Sequence, residues 1–152
     1  DIRQSWQLKI IGPNGSAKPD LMKQIKELAL NNVTLADTCA DMATEYDNAD
    51  IYVMSSRYEG FGLTLIEAMS SGLPVVAFDC PMGPGEIIDK QYGVIVEQGN
   101  ITALSDAISK LIIDKKLRHH LSTQALVRAK YFSEQTIADV WESTLADLIE
   151  RK

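Results

Sequence analysis

Cysteine, basic charge and long apolar runs are all scarce in this sequence of 152 residues. Two cysteines, Cys39 and Cys80, are too few for a disulfide framework, and no C-x-x-C or Cys/His cluster indicates a metal site. We expect two mostly buried free thiols in a reducing compartment. Fifteen Lys and Arg against 21 Asp and Glu give a net charge of −6 without a basic run, which argues against a nucleic-acid partner.

Membrane-spanning and export signals are also missing. No apolar run approaches the ~20 residues that cross a bilayer, and no charged-then-apolar leader indicates export. We therefore expect a cytoplasmic protein. The chain opens at Asp1 and enters a strand-like run almost at once, so we interpret it as part of something longer. Its 45% apolar and 24% charged residues are typical of one globular domain, which we assign to residues 1–152.

Short apolar runs alternate with longer amphipathic ones. The predicted strands are 6–11, 33–36, 50–54, 73–78 and 93–96, and the predicted helices are 20–30, 39–46, 63–71, one turn at 86–88, and everything after 101 with breaks near Asp114 and Ser133. Apolar residues at 21, 22, 25, 28 and 29 predict one buried face on the first helix. Alternating short strands and helices predict an α/β fold, a Rossmann-like three-layer sandwich with a parallel sheet.

Two clusters in the C-terminal helices receive ordinary structural interpretations. Trp141 has helical spacing with Val140, Leu145 and Leu148, which indicates core packing. The neighbouring His119 and His120 fall in a polar helical stretch, so we expect both on the surface.

Three loops are predicted at the carboxyl ends of the strands, where ligands bind in open α/β sheets: residues 12–15, 55–62 and 79–85. The middle loop is the richest in chemistry. Gly60 and Gly62 leave the backbone accessible, and the helix that begins near Leu63 directs its free N–H groups and positive dipole end toward the same space.

Three polar side chains accompany this predicted anion site. Thr64 adds a hydroxyl in the first turn, Glu67 follows on the same helix, and Glu59 directly precedes the glycines. A ligand with phosphates in its middle and polyhydroxylated rings at both ends would satisfy all of these groups. Nucleotide sugars have that shape.

The run from Ser56 to Ala77 contains E-G-F-G-x-x-x-x-E-A-M-x-x-G-x-P-V-V, and it resembles the signature of retaining glycosyltransferase family 4. Three further segments resemble the same family: Trp6–Gly12, Tyr46–Ser55, and Gly83–Ile88 followed by Gly93. Essentially the whole chain is similar to the C-terminal half of that family, which implies a two-domain GT-B architecture. In that architecture the C-terminal domain holds the donor and the N-terminal domain holds the acceptor.

The resemblance also implies roles for individual residues. Glu67 would bind the ribose hydroxyls, and Glu59, the catalytic candidate, would meet the transferred sugar. The backbone from Gly60 through Phe61, Gly62 and Leu63 to Thr64 would contact the sugar and diphosphate, with Gly12 and Gly15 near the ligand. The resemblance implies no metal and no cofactor, only a UDP- or GDP-sugar substrate. The G-P-x-E-I-I loop favours UDP.

The implied protein is a hexosyltransferase that moves a hexose or N-acetylhexosamine to a glycan or lipid-linked acceptor. Its acceptor domain, the first strand of the donor domain and a basic pair that clamps the diphosphate would all precede Asp1. We therefore expect this fragment alone to be inactive. For the full-length protein, peripheral association with the inner face of the membrane is consistent with the resemblance. Gly85 stands where a subset of relatives carries Arg or Ser, which limits inference about the sugar.

Alternatives remain open at this point. The first predicted strand is followed by Gly12-Pro13-Asn14-Gly15, a helix, a second strand and Asp37. This order resembles the nucleotide-binding segment of a dinucleotide-dependent oxidoreductase, although its G-x-G-x-x-G fingerprint is incomplete. A non-catalytic Rossmann-like interaction module is the other alternative, although both motif acids are present. Separately, Glu67 could only favour the helix dipole, the glycines could only form turns, and Arg57 could contact a phosphate or be a surface charge.

Overall fold

The computed structural model describes residues 5–89 and 91–150. The chain divides into two compact units, Asp1–Thr44 and Glu45–Lys152. The strands of the described residues pair in parallel in both units, one pair in the first and three strands in the second. The predicted α/β class with parallel strands is confirmed, but the described strands form two sheets, one in each unit, instead of the single sheet that we predicted.

The first unit contains strand β1 (Leu8–Ile11), helix α1 (Lys18–Glu27) and strand β2 (Val33–Ala36). The two strands pair in register from Leu8 with Val33 to Ile11 with Ala36. Helix α1 starts with a proline in its first turn, where the missing N–H costs no hydrogen bond. A short helix α2 (Met42–Asp47) begins in this unit and ends in the second.

The predicted buried face of α1 is wrong for the described structure. No residue of this helix is buried, and Met22 and Leu28 are 58% and 67% exposed. Met22 and Ile25 instead line an open groove of about 500 Å³ together with Leu30 and Leu35. A helical period shows that one face is apolar, but it does not show which element covers that face.

The second unit contains the three-stranded sheet in the order β3-β4-β5. Its elements are β3 (Tyr52–Met54), α3 (Leu63–Ser70), β4 (Val75–Asp79), α4 (Pro84–Ile87), β5 (Val94–Glu97), α5 (Ile101–Ile113), α6 (Lys115–Ala129), a 3-10 turn (Lys130–Phe132) and α7 (Glu134–Glu150). The central strand β4 is fully buried at Val75, Val76 and Ala77, as expected for a parallel strand covered on both faces.

Helices α5 and α6 close one side of this unit. Val76, Leu111 and Leu121 form a buried cluster between the sheet and the two helices. Asp114 ends α5 and caps α6, because its carboxylate accepts from the Leu117 N–H at 2.9 Å. The predicted break at Asp114 is confirmed, and so is the one at Ser133.

The expectation that Trp141 and its neighbours are core residues is wrong in the described structure. Val140, Trp141, Leu145 and Leu148 are 58%, 62%, 52% and 56% exposed. Among the described elements, α7 contacts mainly the turn Lys130–Phe132 that directly precedes it. The cysteine prediction is half right: Cys80 is buried, but Cys39 is exposed. His119 and His120 are exposed, as predicted.

The parallel direction of β3, β4 and β5 brings their carboxyl ends to one edge of the sheet. The segments 55–62, 80–83 and 98–100 follow those strand ends. Across residues 5–89 and 91–150, the helices are too short or too polar to cross a membrane. The three segments at the common edge contain the candidate site.

Candidate functional site

The N-terminus of helix α3 is left without a side-chain cap. Gly62 occupies the N-cap position with φ +97°, and no side chain in the described part of the chain accepts a hydrogen bond there. A glycine adopts this left-handed conformation without the steric cost that a Cβ would bring. The Leu65 N–H already donates to the Gly62 carbonyl at 3.0 Å. The N–H groups of Leu63 and Thr64 and the positive end of the helix dipole are therefore the donors that an anionic ligand could use.

Gly60 and Gly62 differ in the structural effect that a side chain would have at each position. A Cβ at Gly60 would meet no described atom within 4 Å, whereas one at Gly62 would lie 3.2 Å from Ile87 Cδ1. Gly62 is thus required by its backbone conformation and by packing against α4. Gly60 instead leaves open space beside the loop, as a closely approaching ligand would need. The neighbouring Phe61 and Leu63 are 43% and 64% exposed.

Glu67 is held by a tyrosine from α2. The Tyr46 hydroxyl donates to Glu67 Oε2 at 3.0 Å. Tyr46 is only 5% exposed, while Glu67 is exposed, so its carboxylate has a fixed partner on one side and solvent on the other. Burial raises the pKa of Tyr46, and the hydrogen bond and charge of Glu67 raise it further. The hydroxyl consequently stays a donor at neutral pH.

Thr64 is likewise hydrogen-bonded to a tyrosine, in this case one from β3. The Tyr52 hydroxyl donates to Thr64 Oγ1 at 3.0 Å, and the Tyr46 and Tyr52 rings pack edge to face with centroids 5.9 Å apart. Thr64 and Glu67 are three residues apart and share one face of α3. Two adjacent tyrosines therefore support the two polar side chains of this face.

The charge of Glu59 acts on two groups of this site, the Tyr52 hydroxyl and the Cys80 thiol. Burial raises the pKa of Tyr52, and the negative charges of Glu59 and Glu67 raise it further. Burial also raises the pKa of the Cys80 thiol, to which the charge of Glu59 adds. Both motif acids thus lie within electrostatic reach of Tyr52, at the carboxyl ends of β3 and β4.

The loops at this edge are tied to one another. Gly83 has φ +144°, and a Cβ there would stand 2.2 Å from the Phe61 carbonyl oxygen. The backbones of the two loops are therefore in direct contact at a position that excludes any side chain. The Gln98 amide also donates to the Arg57 carbonyl, which links the loop after β5 to the loop after β3. The structure shows Arg57 as an exposed residue.

Gly85 has a structural reason of its own. A Cβ at this position would lie 2.8 Å from Asp79 Oδ1 at the end of β4. A side chain here would require the Asp79 carboxylate to move. The glycine at position 85 therefore allows the Asp79 carboxylate to keep its position.

The loop that contains Gly12 and Gly15 belongs to the first unit, between β1 and α1. A Cβ at Gly12 would meet no described atom within 4 Å, and one at Gly15 would meet only the Pro13 carbonyl oxygen, at 3.9 Å. Asp37 in the same unit pairs with Lys18 at 3.0 Å.

Tyr46, Tyr52 and Gly83 belong to segments that resemble the family, and Gly83 also lies in one of the three predicted loops, but the sequence assigned none of them a role in the site. Their spacing to Glu67 and Thr64 carries no local signal, because the contacts form only when α2, β3 and the loop after β4 pack around α3. In the ranges that the structure describes, no group of three or more His, Cys, Asp or Glu side chains could hold a metal ion.

The fold is thus an α/β domain in which the uncapped N-terminus of α3 lies at the carboxyl edge of a parallel sheet. The family model for Glycosyl transferases group 1 matches residues 1–128, and the chain belongs to that family. The match covers both units of the structure up to the end of α6.

Individual relatives agree with this assignment. The amylovoran biosynthesis glycosyltransferase AmsD of Erwinia amylovora is 31% identical over 144 residues, which are 94% of this chain and 40% of the relative. A poly(glycerol-phosphate) alpha-glucosyltransferase of Bacillus subtilis is 33% identical over 146 residues, 95% of this chain and 22% of the relative. The chain therefore spans well under half the length of these relatives.

A solved structure supports the fold. The structure of a TarM variant from S. aureus in complex with fondaparinux, alpha-GlcNAc-glycerol and UDP aligns with a TM-score of 0.81 at 32% identity, over 90% of this chain and 28% of that one. The α/β fold with parallel sheets matches that of the C-terminal domains of GT-B glycosyltransferases, as the sequence predicts.

Proposed function

We propose that this chain is the donor-binding, C-terminal domain of a retaining glycosyltransferase of family 4. The enzyme moves a hexose or N-acetylhexosamine from a nucleotide diphosphate sugar, with UDP favoured, to a glycan or lipid-linked acceptor. One observation carries the proposal: the uncapped tip of α3 has Thr64 and Glu67 on one face and Glu59 in the loop before it.

Each part of the site suits one part of such a donor. The backbone amides from Gly60 to Thr64 bind the sugar and the diphosphate in this proposal. Glu67 accepts from the ribose hydroxyls in charge-assisted bonds worth about 1.5–3 kcal/mol. Glu59 meets the transferred sugar at the other end. Gly12 and Gly15 are assigned to the donor side by the resemblance alone.

UDP is favoured by the relatives. The TarM structure contains UDP, and the B. subtilis relative is named for an alpha-glucosyl transfer. The glucose of UDP-glucose has the α configuration at its anomeric carbon. A transfer from UDP-glucose that gives an α-glucoside therefore retains this configuration. The G-P-x-E-I-I loop also favours a UDP-hexose donor, but only through its resemblance to enzymes that use one.

We propose that transfer needs no metal ion. The helix tip offers N–H donors and dipole where the leaving diphosphate would gain charge, which is the role that a divalent cation would otherwise have. Activity of the intact enzyme is then expected to survive EDTA. A loss of activity that Mg²⁺ or Mn²⁺ restores would contradict this part of the proposal.

The acceptor is assigned to a separate N-terminal domain, because this chain matches only 40% of the Erwinia relative's length. That domain, the first strand of the donor domain and the basic pair that clamps the diphosphate belong to the longer protein in this proposal. We further propose a cytoplasmic enzyme at the inner face of the membrane. Free thiols at Cys39 and Cys80 suit a reducing compartment.

A thermal-shift panel on the intact protein tests the proposal. UDP or a UDP-sugar at about 100 times its Kd should stabilise the protein by about 2.7 kcal/mol, which corresponds to about 5–10 °C in Tm. NAD should leave Tm unchanged, because the G-x-G-x-x-G fingerprint of a dinucleotide site is incomplete in this chain. Stabilisation by NAD and by none of the nucleotide sugars would contradict the proposal.

A further inference from the structure

The side chains that face the proposed donor are themselves oriented by a pair of tyrosines from outside the signature. We propose that Tyr46 and Tyr52 are positioning residues, with Tyr46 orienting Glu67 for the ribose hydroxyls and Tyr52 orienting Thr64 for the diphosphate. This inference rests on the proposed function. It assigns roles to two residues that the sequence motif does not contain.

The Tyr46–Glu67 hydrogen bond is the first of three contacts that support this inference. An ionised carboxylate only accepts hydrogen bonds, and the Tyr46 hydroxyl donates to Oε2 at 3.0 Å. This bond fixes one carboxylate oxygen and leaves Oε1 with its lone pairs for ligand hydroxyls. Because Tyr46 is only 5% exposed, its position is set by the packing of the second unit rather than by solvent. An exposed glutamate is thus ordered before a ligand arrives.

The second step is the direction of the Tyr52–Thr64 bond. Tyr52 donates its hydrogen to Thr64 Oγ1 at 3.0 Å. The Thr64 hydroxyl keeps its own hydrogen and can donate it to an anion at the tip of α3. A chain of two hydroxyls that ends on a phosphate oxygen is strengthened by mutual polarisation.

The third step is the coupling between the tyrosines. Their rings meet edge to face with centroids 5.9 Å apart and planes at 74°. One tyrosine comes from α2 and the other from β3. Each ring limits the movement of the other, so the two hydroxyls are held as one unit against the same face of α3. Burial raises the pKa of both, so both remain donors at neutral pH.

The test measures UDP binding to the intact protein by calorimetry. Tyr46→Phe keeps the ring and removes only the hydroxyl. It should raise the Kd for UDP about 5- to 10-fold, in line with one lost hydrogen bond, and should leave the Kd for 2′,3′-dideoxy-UDP unchanged. In turnover, the same variant should raise the donor KM and keep kcat within about twofold.

Tyr52→Phe is the second variant, and its pattern differs. It should weaken UDP and 2′,3′-dideoxy-UDP alike, because it acts through Thr64 on the diphosphate, and it should leave uridine binding unchanged. Tyr131→Phe is the matched control: this exposed tyrosine lies in the 3-10 turn, and its substitution should change no Kd. The Tm of each variant confirms that it is folded.

Each outcome separates the inference from the function on which it rests. UDP binding that Glu67→Gln weakens, but that Tyr46→Phe and Tyr52→Phe leave intact, overturns the inference alone. A loss in Tyr46→Phe that is equal for UDP and its dideoxy form also overturns the role of Tyr46, because it indicates a general structural effect. A wild-type protein that binds no nucleoside diphosphate overturns the proposed function and the inference together.

Discussion

The backbone of Gly83 is in direct contact with the Phe61 carbonyl oxygen. A Cβ at position 83 would lie only 2.2 Å from that oxygen. Gly83 also has φ +144°, a conformation that residues with side chains rarely adopt. The loop after β4 therefore supports the loop before α3 from one side. Phe61 is held from another side by Phe132, whose ring lies edge to face at 6.1 Å.

Gly83→Ala should displace the loop that contains Phe61. We expect a loss of about 3 kcal/mol or more in the free energy of unfolding, because strained φ and a backbone clash add together. Donor kcat/KM in the intact enzyme should fall with it. Gly99→Ala is the matched control, since Gly99 also has positive φ (+76°) but a Cβ there would meet no described atom within 4 Å. Equal losses in the two variants would show that the contact with Phe61 has no effect.

Gly60→Ala should separate binding from stability. A Cβ at Gly60 would meet no described atom within 4 Å, so the protein should keep its Tm within about 2 °C. The added methyl group would project into the space proposed for the donor, and the donor KM should rise. Thermal unfolding and steady-state kinetics on the same preparation check this. An unchanged KM would indicate that the donor does not approach the backbone at Gly60.

Arg128 should be a stabilising residue that ties α6 to the end of α4. Its guanidinium donates to the carbonyls of Ile87 at 2.8 Å and Glu86 at 2.7 Å, and it lies over three aromatic rings at 5.0–5.5 Å: Tyr92, Tyr131 and Phe132. Arg128→Ala should lower the free energy of unfolding by about 2–4 kcal/mol.

Urea denaturation measures that loss, with the exposed Lys116→Ala as a control that should change stability by less than about 0.5 kcal/mol. Arg128→Lys should recover only part of the loss, because an ammonium group cannot reproduce the planar fork that reaches both carbonyls. Full recovery by lysine would mean that charge alone matters at this position.

Stability should decrease at high pH through Tyr46 and Tyr52. Both have a pKa raised above the ordinary 10.0 in the folded protein, mainly by burial. Their contribution to stability is therefore complete below pH 10 and is lost as the pH rises above it, because the unfolded chain releases its protons first. Urea denaturation at pH 9 and pH 11 should show a smaller decrease for Tyr46→Phe than for the wild type. A decrease of equal size would assign the effect to other groups.

The sequence predicts the elements of the second unit well because their signals are local. Gly62 and Gly72 delimit α3, Asp114 separates α5 from α6, and the apolar run of β4 predicts a strand buried on both faces. The loop chemistry between Glu59 and Thr64 is local in the same way. These features depend on capping, turn conformation and hydrophobic period, which neighbouring residues determine.

Other features are not local and could not be predicted. Tyr46 is 21 residues from Glu67, and Arg128 is 41 residues from Ile87, so neither contact leaves a pattern in the sequence. The apolar faces of α1 and α7 were predicted from periodicity to be buried, but Met22 and Trp141 are exposed. Periodicity defines a face, whereas burial depends on whether another element packs against it.

The most direct test of the account is donor use by the Glu67→Ala variant of the intact enzyme, with Glu67→Gln beside it. If Glu67 holds the ribose through a pair of hydrogen bonds, kcat/KM for the UDP-sugar should fall about 10- to 100-fold in Glu67→Ala. Glu67→Gln should lose less, because its amide oxygen can still accept from one hydroxyl. Wild-type kcat/KM in both variants would contradict the assignment of this helix tip as the donor site.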